Sequence, residues 1–197
     1  MSGQNKVSGV VLAGGQARRM QQQDKGLVIF KDRPLISYAL AAMAPLTAEL
    51  FISANRNLPA YREFGYPVLS DLTQTFDGPL AGILAAMQAA QYPLLLVTPC
   101  DSPLLETAHL QRLLTALTAQ HDISVAYDGV RLHPVMMAVR TDLQGSLQDY
   151  LDSGERKLQN WLQLHRTTQA DFSDAPQACA NINSLAELAL FEQQALQ

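Results

Sequence analysis

Leu12-Ala13-Gly14-Gly15-Gln16-Ala17-Arg18-Arg19-Met20, followed by Asp24-Lys25-Gly26, concentrates backbone freedom and positive charge in one short stretch. Glycines let a backbone come close to a ligand, and successive N–H groups make a cradle for an anion. Arg18, Arg19 and Lys25 add three positive charges within eight residues. Arginine suits bidentate contact with phosphate, and lysine acts as a point charge. Each part has a plainer reading: adjacent glycines can be a simple turn, and an Arg-Arg pair can be a solvated surface pair. Their conjunction after an apolar run points to a phosphate chain. Two well-known phosphate loops are excluded. Gly14 and Gly15 are adjacent with no third glycine at the dinucleotide spacing, and no Gly-Lys-Ser/Thr follows a glycine by four residues.

A phosphate chain calls for a counter-ion, so carboxylates come next. Asp71 follows the short apolar run Pro67–Ser70, and Asp101 follows the run Leu94–Thr98. Mg²⁺ is a hard ion held by one or two carboxylates plus phosphate oxygens and waters. Asp101 is the better candidate, because Pro99 and Pro103 restrict the shape of its loop. A loop Asp can equally cap the next helix, and Asp71 and Asp77 can be cap or turn residues. His133, before Pro134, is either a general base or a packing histidine; His109, His121 and His165 show no ligand spacing. No Ser-His-Asp arrangement is suggested. Phosphoryl-type chemistry needs none, since positioning and charge stabilisation suffice.

These residues must be carried by elements that bring them together. Val7–Leu12 reads as a buried strand ending in Gly14-Gly15. Pro34 stands where a first helical turn tolerates proline, and Leu35–Met43 has helical spacing. Leu50–Ser53 and Pro67–Ser70 read as strands, Leu80–Gln91 as a helix, and Leu94–Thr98 as a strongly buried strand. His109–Ala119 is helical and Ile123–Tyr127 a strand; after the turn signal Asp128-Gly129, Val135–Val139 returns as another. Leu143–Leu151 and Lys157–Leu164 are helical, Thr168–Phe172 is a strand, and Leu185–Leu196 a closing helix. This alternation predicts an α/β fold of three layers, a mostly parallel sheet with helices on both faces, in a single domain over 1–197. Ligands of such sheets bind beyond the carboxyl ends of the strands. Asp71, Asp101 and the glycine loop are therefore expected to share one crevice.

Composition narrows the class. The chain carries 14 Lys and Arg against 18 Asp and Glu, a net charge of −4, which argues against a general nucleic-acid surface. Cys100 and Cys179 lie far apart and form no metal-type pair; two reduced thiols are expected. No apolar run approaches the ~20 residues of a membrane span, and the segment MSGQNKVSGVVLAGG lacks a leader's apolar core. The reading is a soluble, cytoplasmic protein.

LAGGQARRM, DKG and Arg33-Pro34-Leu35 resemble the nucleotidyltransferase signature of leucine, any residue, Gly-Gly, spacer, Arg-Met, spacer, lysine. SANR at 53–56, GPLAG at 78–82, PCDSP at 99–103, DGVRLHP at 128–134, GERK at 154–157, DFSD at 171–174 and NINS at 181–184 narrow the match. Together they resemble the bacterial molybdenum cofactor guanylyltransferase (MobA) family, from about Val7 to about Leu188. The resemblance implies an enzyme with a Rossmann-like nucleotidyltransferase fold that transfers GMP from GTP to molybdopterin and releases pyrophosphate, using Mg²⁺. It places Leu12, Ala13 and Gly14 against the guanine nucleotide, Gly15, Arg19 and Lys25 on the phosphates, Asp71 in nucleotide binding and Asp101 on the metal. Asn181 and Asn183 match asparagines associated with the pterin side. A molybdopterin-donor protein and acceptor apoenzymes are implied as partners. Two positions depart from the family pattern: Gln21 stands where glycine usually follows Arg-Met, and Ser53 stands where asparagine is common, in a position assigned to the nucleotide, with Asn55 retained two residues on. Use of CTP, coupling of an NTP to a sugar 1-phosphate, and a non-catalytic nucleotide or cofactor carrier are the competing readings.

Overall fold

The computed structural model describes residues 6–14, 24–71 and 78–182, with Glu187 and Phe191 beyond them. Among these residues a seven-stranded sheet forms the middle layer. Its strands are β1 (Val7–Leu12), β4 (Glu49–Ser53), β5 (Val68–Leu69), β6 (Leu94–Pro99), β7 (Ile123–Tyr127), β8 (Leu132–Arg140) and β9 (Thr167–Asp171). They lie in the order β5-β4-β1-β6-β8-β7-β9. Only β8 runs against its neighbours; β1, β4, β5 and β6 are mutually parallel, as β7 and β9 are. The expected mostly parallel sheet is borne out.

Residues alternate between the two faces along each strand, as the period of two requires. Val7 and Val11 of β1 and Leu96 of β6 join one core, with Ile36, Leu40 and Met43 of α1 (Leu35–Met43) and Leu110 and Leu113 of α4 (Thr107–Ala116). Val10, Leu95 and Val97 point to the other, against Leu80, Ile83 and Met87 of α3 (Pro79–Ala89) and Leu147 of α5 (Gln144–Asp152). Trp161, on α6 (Leu158–Leu162), is fully buried in that second core. Helices thus cover both faces, giving three layers.

Several boundaries differ from the sequence expectation for physical reasons. Pro34 belongs not to the helix but to β3 (Arg33–Pro34), which pairs antiparallel with β2 (Ile29–Phe30) just before α1. The turn between them places Lys31 and Asp32 at φ 45° and 67°, a left-handed conformation with no glycine to announce it. A five-residue helix, α2 (Leu58–Arg62), was not expected. The helix expected from His109 starts at Thr107, and His109 serves it as a cap: its Nδ1 accepts from the Glu106 backbone N–H at 3.1 Å. The closing helix expected over Leu185–Leu196 lies largely outside the described residues, where Glu187 and Phe191 are helical.

The strand expected over Val135–Val139 extends to Leu132–Arg140 with an irregularity. Val125 of β7 pairs with Met137, but the next residue, Ala126, pairs with His133. Pro134, which has no N–H to donate, falls in the skipped stretch, and so does Val135. Val135 then becomes part of the cleft wall described below.

Candidate functional site

Strand register assembles the site. Leu12 is opposite Ser53 on one side and Pro99 on the other, so β1, β4 and β6 end level with one another. The ladder continues one step further: the Ala13 N–H donates to Ser53 O at 2.8 Å and the Cys100 N–H to Leu12 O at 3.1 Å. Everything that follows these strands therefore opens at one edge, which is where open α/β sheets bind ligands.

A cleft of about 550 Å³ lies there. Leu12, Ala13, Gly14, Lys25, Ser53, Asp71, Asp101 and Asn181 all line it, so eight residues singled out from the sequence meet in one place. Gly15, Arg18, Arg19, Gln21, Asp77 and Asn183 lie outside the described residues. Gly78, Pro79, Gly82, Pro99, Cys100 and Val135 complete the wall. The first three fall in the GPLAG motif, which carried family likeness but no assigned role. Val135 had no sequence signal, since the register shift that places it is a tertiary feature.

Lys25 and Asp101 form the charged centre. Lys25 Nζ donates to Asp101 Oδ2 at 2.9 Å, with the two side chains 23% and 10% exposed. Asp101 Oδ1 is buried and has no hydrogen-bond partner among the described residues. A buried carboxylate oxygen left without a donor is costly unless a ligand or ion completes it. The C-terminal segment closes onto the same loop. The Ile182 N–H donates to Asp101 O at 2.9 Å, and Ser102 Oγ donates to Asn181 Oδ1 at 2.7 Å. Asn181 is thus fixed beside the carboxylate although it is 80 residues further along the chain.

On the other flank Asn55 clamps Asp71 from both ends: its Nδ2 donates to Asp71 Oδ2 at 2.6 Å, and its Oδ1 accepts from the Asp71 N–H at 2.8 Å. Asp71 is therefore a positioned carboxylate rather than a mobile loop residue. Cys100 adjoins Asp101, and burial, with Asp101 and Asp24 next in effect, pushes its thiol well above the usual range. It stays a protonated, apolar wall element rather than a nucleophile. Cys179 is likewise free, its thiol pushed up to about 11 by burial.

The four histidines have other work. His133 Nε2 bonds Asp128 Oδ2 at 2.6 Å, while Asp128 Oδ1 accepts the N–H groups of Val130 and Arg131 at 2.8 Å each. The His133 bond, then the two backbone N–H groups, holds the Asp128 carboxyl well below the usual carboxylate range. His133 thus braces the β7–β8 turn. His121 pairs with Thr118, and His165 lies edge-on to Trp161, where burial lowers its pKa.

Gly82 marks how closely α3 approaches the sheet. A Cβ there would run into Ser53 Oγ and come within 3.1 Å of Leu12 Cδ2. Gly82→Ala is expected to push both cleft-lining groups aside, destabilising the fold by about 1–3 kcal/mol. Affinity for a ligand of the cleft should fall with it. Urea unfolding and a nucleotide titration check the two effects; an unchanged midpoint would show that the cleft wall yields freely.

The fold and the cleft define an NTP transferase of the α/β class. A family model described as the MobA-like NTP transferase domain matches residues 9–170. Curated proteins named molybdenum cofactor guanylyltransferase are similar over most of the chain. One from Shewanella loihica is 47% identical over 180 residues, covering 91% of this chain and 92% of its own; one from Shewanella halifaxensis is 45% identical over 91% and 90%. The chain belongs to the MobA-like molybdenum cofactor guanylyltransferase family, a family of nucleotidyltransferases. Among solved structures, molybdopterin-guanine dinucleotide biosynthesis protein A from Archaeoglobus fulgidus superimposes with a TM-score of 0.78 at 20% identity, over 96% of this chain and 98% of that one. The 2-C-methyl-D-erythritol 4-phosphate cytidylyltransferase of Thermus thermophilus gives 0.75 at 18% identity, over 98% and 100%. At those identities the likeness is one of fold. Among the described residues no helix is long and apolar enough to cross a membrane.

Proposed function

We propose that the chain transfers GMP from GTP to the molybdenum–molybdopterin cofactor, forming molybdopterin guanine dinucleotide and pyrophosphate. The observation that carries the reading is the Lys25–Asp101 pair beside Gly14 at the ends of β1 and β6, with Asp101 Oδ1 buried and without a partner among the described residues. In this reading the N-terminal part of a single domain over 1–197 takes the nucleotide and the C-terminal part the acceptor. Leu12, Ala13, Gly14 and Ser53 meet the nucleoside, Gly15, Arg19 and Lys25 the phosphates, and Asp71 supports the nucleotide. Asn181 and Asn183 meet the pterin. The protein works in the cytoplasm, between a molybdopterin-donor protein and acceptor apoenzymes.

The residues fit a Mg²⁺ ion. No cluster of three or more His, Cys, Asp or Glu occurs among the described residues, so a cage of protein ligands is not on offer. Mg²⁺ asks for less: one or two carboxylates, with phosphate oxygens and waters filling the shell. Asp101 Oδ1 supplies such a carboxylate oxygen. When bound, the ion supplies Lewis-acid neutralisation of the phosphates.

The chemistry is an in-line displacement without a covalent enzyme intermediate. A terminal phosphate oxygen of molybdopterin attacks the α-phosphorus of GTP, the bond to the β-phosphate breaks, and pyrophosphate leaves. Lys25 and Arg19 offset the charge that builds on the α-phosphate and the leaving group. Asp101 orients Lys25 through Oδ2, and its unpartnered Oδ1 is the oxygen available to the ion. Asn181, fixed on Ser102 beside Asp101, meets the acceptor.

Incubation with each of the four NTPs, Mg²⁺ and molybdopterin, followed by pyrophosphate release, tests the reading. GTP is expected to turn over and the others to be poor substrates. Preference for CTP would make the chain a cytidylyltransferase. Turnover only with a sugar 1-phosphate would move the acceptor to another class, and tight GTP binding without release would leave a carrier.

A further inference from the structure

Lys25 stands on a turn too short to hold itself. It opens a three-residue 3₁₀ segment, Lys25–Leu27, whose internal support is the Leu27 N–H to Asp24 O bond at 3.0 Å and the Val28 N–H to Lys25 O bond at 3.2 Å. Asp101 holds the ammonium end of Lys25, but the backbone that carries the side chain, on so short a segment, needs an anchor of its own. The residue before it supplies one. Asp24 is 7% exposed, a carboxylate buried next to the cleft lysine. Its Oδ1 accepts from Tyr61 Oη at 2.5 Å, and its Oδ2 accepts from Asn57 Nδ2 at 3.2 Å.

Both donors come from the other side of the first crossover. Tyr61 lies on α2 and is fully buried; Asn57 is the residue before that helix, held at φ 50°. Burial, with Cys100 and Asp24 next in effect, pushes the Tyr61 phenol far above its ordinary value, so it remains a donor. The segment is also pressed onto the same ring: a Cβ at Gly26 would fall 2.6 Å from Tyr61 Oη and 3.2 Å from Tyr61 Cε1. Tyr61 therefore touches the turn on both sides of Lys25, by a charge-assisted hydrogen bond at Asp24 and by direct contact at Gly26. Tyr61 and Asn57 do not line the cleft.

We propose that Asp24, Tyr61 and Asn57 are positioning residues for the transfer reaction, clamping the Asp24-Lys25-Gly26 turn so that the Lys25 ammonium is held where the triphosphate binds. The proposal rests on Lys25 serving the phosphates. Two carboxylates thus serve Lys25 differently: Asp101 pairs with its ammonium in the cleft, whereas Asp24 lies outside the cleft lining and is consumed by the clamp.

The test is a double-mutant cycle read in affinity for a fluorescent GTP analogue with Mg²⁺, alongside thermal melts. Binding keeps the cycle readable where turnover of the Lys25 variant is below detection. Tyr61→Phe preserves the ring and removes only the donor; it is expected to weaken binding about tenfold, the loss of one charge-assisted bond. In a Lys25→Ala background the same change is expected to alter affinity by less than about twofold, because the clamp then holds nothing. Asp24→Ala should match Tyr61→Phe. Asp24→Asn, which keeps an acceptor for Tyr61 and meets a turned Asn57 amide, should return affinity to within about threefold of the parent. A full tenfold effect of Tyr61→Phe in the Lys25→Ala background overturns the proposal, as does an Asp24→Asn variant as weak as Asp24→Ala. A Lys25→Ala variant that binds as well as the parent refutes the role of Lys25 itself, before any Tyr61 variant is made.

Discussion

Lys25→Ala is expected to turn over GTP about 10²–10³-fold more slowly than the parent chain, the loss seen when a preorganised charge or donor is removed from a transition state. The expectation follows from where the ammonium sits. Its Nζ is 2.9 Å from Asp101 Oδ2 and only 23% exposed, at the edge where β1 and β6 end. A point charge in such a cleft gains strength from partial exclusion of water. The charge it meets is present in the bound triphosphate and grows as the α-phosphorus is attacked, so GTP affinity falls and kcat falls further. The fold should survive, because the pair is partly exposed and its rupture removes no core contact. A melt within a few degrees of the parent, together with the loss of pyrophosphate release, is the expected pairing. Lys25→Arg should recover only part of the rate, since a planar fork cannot take the place of a compact ammonium. Parent-level turnover by Lys25→Ala would remove the residue from the mechanism.

The sequence made the strands that matter legible because they are apolar and sharply bounded. Val7–Leu12 ends at glycines, and Leu94–Pro99 ends at the proline before Asp101, so the ends of both were marked. Two such ends in a parallel sheet face one edge, which is why Asp101 and Gly14 could be placed together before any coordinates. Local spacing says nothing about contacts made across the sheet. The Asn55–Asp71 clamp and the seat of Asn181 on Ser102 join residues 16 and 79 positions apart, and only family likeness had brought Asn181 forward. The hairpin of β2 and β3 was hidden for a different reason. Its strands are two residues long, and Lys31 and Asp32 adopt the left-handed conformation without the glycine that normally signals it. Tyr61 was invisible as a functional neighbour because it reaches Asp24 through a five-residue helix that carries too few residues to show a period.

Asp101→Ala is expected to abolish transfer and, with it, the dependence on Mg²⁺. The carboxylate has two oxygens with different fates: Oδ2 is engaged by Lys25, and Oδ1 is buried with no partner among the described residues. Folding a chain around such an oxygen costs stability, so its persistence is best explained by a ligand that completes it. Alanine removes the oxygen proposed for the metal and at the same time releases Lys25. Asp101→Asn separates these effects, since it keeps the shape and an acceptor for Lys25 but loses the charge that a hard cation requires. Both variants should therefore lose at least about 10³-fold in kcat. Asp101→Asn should still bind GTP in the absence of metal. Asp101→Asn takes the charge partner from Lys25, so a modest loss of stability, read in a thermal melt, is expected with it. A Mg²⁺ titration of activity, and Mn²⁺ binding followed by electron paramagnetic resonance, read the metal directly. If Asp101→Asn bound Mn²⁺ and responded to Mg²⁺ as the parent does, the ion would have to be held by another residue, and Asp101 would be left as the partner that orients Lys25.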